Sequence, residues 1–88
     1  MGECDIYLKT VSDVFNFSHD VRRFHEDVDA CHDRHVVDAK SFLGLLSISH
    51  THIKVKIHTY DIGVIEDFFE FCKKYKSKTD ELLPNTEE

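Results

Sequence analysis

Hydrophobic positions follow two rhythms along this chain. Ile6 and Leu8 alternate with Tyr7 and Lys9, which predicts a half-buried strand over about residues 4–10. Val14, Phe17, Val21 and Phe24 then recur three and four residues apart, one face of a helix over about residues 13–24. Ser12 is placed as its N-cap. Asp13 suits the first turn, and Arg22 and Arg23 the last, where cations complement the helix dipole. Alternation returns at Val28 and Ala30 and again at Val37 and Ala39, and the polar tetrad His32-Asp33-Arg34-His35 between them reads as a hairpin turn.

Ser41 offers a cap to the short apolar stretch Phe42–Ile48, of which Leu45 and Ile48 make the stripe a small helix can bury. Ile53, Val55 and Ile57 alternate with His52, Lys54, Lys56 and His58, the clearest strand in the chain. Asp61 caps a last helix with the stripe Val64/Ile65, Phe68, Phe71/Cys72 and Tyr75, with Lys73 and Lys74 at its C-terminal end. The order is β-α-β-β-α-β-α. Strands with one apolar face need helices to cover it, so a two-layer α+β sandwich follows. One domain is expected over residues 1–75, followed by a polar, flexible tail over 76–88.

Eighty-eight residues suit a single small domain. A formal charge of -6 repels nucleic acid and anionic membranes, so neither is an expected partner. Three widely spaced cysteines, Cys4, Cys31 and Cys72, form no C-x-x-C, and the first residues lack the n- and h-regions of a secretory signal. Reduced thiols and a cytoplasmic location are the expectation. Seven His stand out, because protonating all of them would more than cancel the charge of -6.

The stretch Val37-Asp38-Ala39-Lys40-Ser41-Phe42-Leu43-Gly44-Leu45-Leu46-Ser47-Ile48 resembles the HPr family, the small phosphocarrier proteins of the bacterial sugar phosphotransferase system. The family's pattern here is roughly V-x-[AL]-K-S-[IL]-[ML]-G-x-[ML]-S-L. The match runs back without a gap to Arg23-Phe24-His25-Glu26-Asp27-Val28 and forward into the last helix, covering most of residues 5–75. The resemblance implies an HPr-like open-faced β-sandwich, a four-stranded antiparallel sheet covered by three helices. It also implies phosphotransferase-system partners. In the family, a His in G-[LI]-H-A-R-P-A at the start of the first helix takes phosphate from enzyme I and passes it to IIA components. This chain departs there. Thr10-Val11-Ser12-Asp13-Val14-Phe15-Asn16-Phe17 has no His and no adjacent Arg, and the stretch is about five residues shorter than the family's. Asp13 puts a negative charge where phosphate would sit.

Ser41 matches the Ser that HPr kinase/phosphorylase modifies in Gram-positive HPr proteins, where the product serves catabolite control protein A. Lys40 is the residue expected to support a phosphate there, and as an unmodified cap Ser41 would simply hold its helix. Phe42, Leu43, Leu46 and Ser47 correspond to partner-contacting positions of the family. With only Leu45 and Ile48 needed inside, the first three are expected to stay partly exposed. His19 and His25 are the candidates for a surrogate phosphohistidine. The His residues show no ligand spacing: His52 and His58 lie roughly 20 Å apart at strand rise, and no H-x-x-x-H or H-E-x-x-H falls on a helix. Neither a metal nor a cofactor is implied. No nucleophile-base pair, paired carboxylates or Gly-rich phosphate loop is present, so an enzyme with its own turnover is not expected. The leading expectation is a non-catalytic regulatory or protein-binding module, monomeric or weakly dimeric. The alternatives are a divergent phosphocarrier and a His-rich metal- or pH-responsive protein.

Overall fold

Where strands end and helices begin in this protein is decided by a few backbone amides. In the computed structural model, residues 2–49 and 51–76 are described. Strand β1 (Gly2–Tyr7) stops short of the expected residue 10 because the next amides turn away. The N–H groups of Lys9 and Thr10 both donate to Asp13 Oδ2, at 3.2 and 3.1 Å. Helix α1 (Val11–Asp20) follows, capped by Thr10 and not by Ser12. It tightens into a 3-10 turn at Val21–Arg23, where the Phe24 N–H donates to the Val21 carbonyl at 3.1 Å. A three-residue spacing from Val21 to Phe24 suits either helix type, so periodicity could not separate them.

Strands β2 (Val28–His32) and β3 (His35–Asp38) form the expected hairpin around Asp33-Arg34. Asp33 has φ 54°, the left-handed region that Asp tolerates better than most residues. Helix α2 (Phe42–Ser47) starts at the Ser41 cap, β4 (His52–Ile57) follows, and Asp61 caps α3 (Ile62–Cys72) by accepting from Gly63 and Val64. A second 3-10 turn, Lys73–Tyr75, continues α3. The segment expected as a tail lies outside the described residues, apart from Lys76.

The four strands form one antiparallel sheet in the order β1-β4-β2-β3. Ile6, Val28, Ala30, Ile53, Val55 and Ile57 line its covered face. Val14 and Phe17 of α1, Leu45 of α2, and Phe68, Phe71 and Cys72 of α3 complete the core. Edge-to-face rings join the helices: Phe24 meets Phe68 at 5.6 Å, and Tyr75 meets Phe17 at 5.0 Å. The other sheet face is open and charged. Glu3 and Asp5 stand opposite Lys56 and Lys54, with nitrogen–oxygen separations of 3.4 and 3.7 Å. Exposed pairs of this kind add little stability, but alternating charge keeps the face wet and discourages strand addition. Among the described residues, no helix is long and apolar enough to cross a membrane.

Candidate functional site

The start of α1 is closed on itself. Thr10 Oγ1 accepts from the Asp13 N–H at 3.0 Å, and the Asp13 carboxylate accepts from Thr10 in return, a reciprocal capping box. A phosphorylated group at this end would meet the Asp13 carboxylate, which already holds the Lys9 and Thr10 amides, and no neighbouring arginine in sequence. Neither surrogate His lies here. His19 is exposed in the last turn of α1, about 12 Å along the axis from Val11 at ordinary helical rise. His25 is exposed beyond the 3-10 turn.

An apolar surface lies where α1 meets α2. Phe15 falls between the core positions Val14 and Phe17 and points outward, 54% exposed. Its ring meets Phe42 edge-on at 5.9 Å and stacks against His19 at 6.1 Å. Leu43 projects furthest, at 74% exposure, whereas Phe42 and Leu46 are half-buried and Ser47 is exposed. Val11, also exposed, lies one turn before Phe15 on the same side of α1. Phe15 was missing from the candidates drawn from sequence. Its signal was an aromatic lying off the buried stripe of an amphipathic helix.

Beside this surface, Ser41 is half-buried and its hydroxyl oxygen accepts from the Gly44 N–H at 3.1 Å. Lys40 is turned elsewhere: its ammonium donates to the carbonyls of Phe24 and Glu26 at 2.7 and 3.0 Å. The cation beside Ser41 is Arg22, whose guanidinium donates at 3.0 Å to the Lys40 carbonyl, the group leading into Ser41. Sequence adjacency pointed to Lys40. Nothing local signals a residue brought in from the 3-10 turn after α1.

His32 and His58 bind parts of their own fold. His32 Nδ1 lies 3.2 Å from the His52 carbonyl oxygen, and His58 Nε2 lies 2.7 Å from Asp29 Oδ2. Among the described residues, no three His, Cys, Asp or Glu side chains are grouped so as to hold a metal ion.

No protein-family profile matches the chain, and no curated protein matches it in sequence. Among solved structures, the crystal structure of HPr-C-His from Thermoanaerobacter tengcongensis is similar, with a TM-score of 0.59 and 22% identity. The alignment covers 80% of this chain and 92% of that one. With the sheet order and helices above, this establishes the HPr-like α+β open-faced sandwich.

Proposed function

We propose that this chain is an HPr-like, non-catalytic protein-binding module of the sugar phosphotransferase system, acting through the face between α1 and α2. The observation that carries this reading is the surface cluster of exposed Phe15 and Leu43 with half-buried Phe42. Aromatic and aliphatic side chains held on adjacent helices lose little freedom on binding and gain by leaving water, the profile of an interface centre. The start of α1 argues against the carrier step: the Asp13 amide serves the capping box, and the Asp13 carboxylate opposes a second negative charge. Partners of this reading are proteins that recognise the HPr fold, including enzyme I, HPr kinase/phosphorylase and a catabolite control protein. Ser41 is the regulatory position. A phosphate there would add charge at the edge of the face, with Arg22 in place of Lys40 as the cation beside it.

Two incubations test the chemistry. With HPr kinase and ATP, mass spectrometry is expected to find one phosphate, on Ser41. An unmodified Ser41 removes the regulatory position and leaves docking standing. With enzyme I and phosphoenolpyruvate, no acid-labile phosphate is expected. Label on His19 would favour a second reading, a divergent carrier, which the stacking of His19 on Phe15 supports because it puts an imidazole at the docking face.

A further inference from the structure

Two of the three cysteines face one another across the β1–α3 contact. Alternation along β1 turns Gly2, Cys4 and Ile6 to the covered side and Glu3 and Asp5 to the open side. Cys72 ends α3 and is buried in the core, while Cys4 is half-buried at its edge. Both line a cleft of about 380 Å³, with Glu3, Asp5, Phe69 and Lys73 around them. Cys31 is set apart: it sits on β2 opposite Lys54, on the open face of the sheet.

We propose that Cys4 and Cys72 are an oxidisable dithiol, which hydrogen peroxide closes into a reversible disulfide that staples the end of α3 to edge strand β1. The half-exposed Cys4 reacts first. Its sulfur attacks one peroxide oxygen, the O–O bond breaks, and the departing hydroxide takes up the Cys4 proton to leave water and a sulfenic acid. The Cys72 sulfur then attacks the Cys4 sulfur, the S–O bond breaks, and the second hydroxide takes up the Cys72 proton. Two thiols and one peroxide become one disulfide and two waters, a two-electron oxidation of the protein.

Burial governs the rate. Desolvation holds both thiols above their ordinary pKa, and the Cys72 contact and Lys76 partly offset this at Cys4, while Asp5 adds to it. Closure is therefore slow beside that of a dedicated peroxide sensor, which keeps an exposed thiolate. The stapled ends are far apart in the chain, so the bridge restricts the unfolded state strongly. It also anchors the Lys73–Tyr75 turn, whose Tyr75 packs on Phe17 of α1.

Treatment of the full chain with excess hydrogen peroxide, followed by alkylation and intact-mass analysis, tests this. The reduced protein offers three alkylatable thiols. The oxidised monomer is expected to have lost two hydrogens and to offer one thiol, with a Cys4–Cys72 peptide pair in the digest. Its Tm should rise by about 10 °C and return on addition of dithiothreitol. Cys31→Ser leaves both partners in place and should close as the parent does. Cys4 driven to sulfinic acid while Cys72 stays alkylatable, a bridge through Cys31, or cross-linked dimers in place of the closed monomer would each overturn the proposal.

Discussion

Asp13 closes the start of α1 with one oxygen that holds the amides of both Lys9 and Thr10. Thr10, Ser12 and Asp13 are all cap-competent residue types, so composition alone could not choose among them, and Ser12 was the wrong choice. The structure separates them by what each side chain reaches. Thr10→Ala should lower unfolding stability by about 1 kcal/mol in denaturant titrations. Ser12→Ala, which removes an exposed hydroxyl outside the cap, should stay within about 0.5 kcal/mol of the parent. Equal costs would mean that the cap lies elsewhere. Tyr75 gives a second residue-scale prediction. Burial, and then the nearby Asp20 carboxylate that accepts its hydroxyl at 3.4 Å, raise its pKa from 10.0 to about 12. Between those values the folded protein keeps a proton that the unfolded chain has lost. The Tyr75 contribution to stability is therefore intact below pH 10 and lost as pH rises toward 12. Tyr75→Phe should show a flatter decline of stability over that window in paired unfolding curves.

At the scale of elements, strands and caps were legible wherever one local rule governed them. Alternation located β4 because its inward side chains, Ile53, Val55 and Ile57, are all core residues. The α2 and α3 starts followed from Ser41 and Asp61, which accept from their own helix amides as their positions suggest. The end of β1 and the passage from α1 into a 3-10 turn were not legible, since each depends on which amide finds which acceptor. The face between α1 and α2 was half visible. Leu43 could be expected outside because a six-residue helix buries one stripe, but the Phe15–Phe42 contact joins positions 27 residues apart, beyond any local pattern. Because Leu43 is so exposed, Leu43→Asp should change stability by less than about 0.5 kcal/mol while weakening partner binding at least about tenfold in calorimetric titrations. Unchanged affinity would move the interface away from α2.

The whole molecule separates its two faces by charge and by covering. One sheet face carries paired carboxylates and lysines, and the other is sealed by three helices. Both features follow from alternation, which is why the architecture was legible from the chain and agrees with the similar solved structure. Long-range chemistry was less so. The placing of Arg22 by Ser41, the turning of Lys40 to Phe24 and Glu26, and the meeting of Cys4 with Cys72 all join distant segments. A protein with this fold and a closed α1 start is expected to bind partners without carrying their phosphate. A ¹⁵N-resolved NMR titration of the full chain with enzyme I, in the presence of phosphoenolpyruvate, tests this most directly. Shifts confined to the amides of Val11–His19 and Ser41–Ser47, with no phosphohistidine formed, are predicted. Shifts centred on the open face of the sheet, no binding, or a phosphorylated imidazole would contradict it.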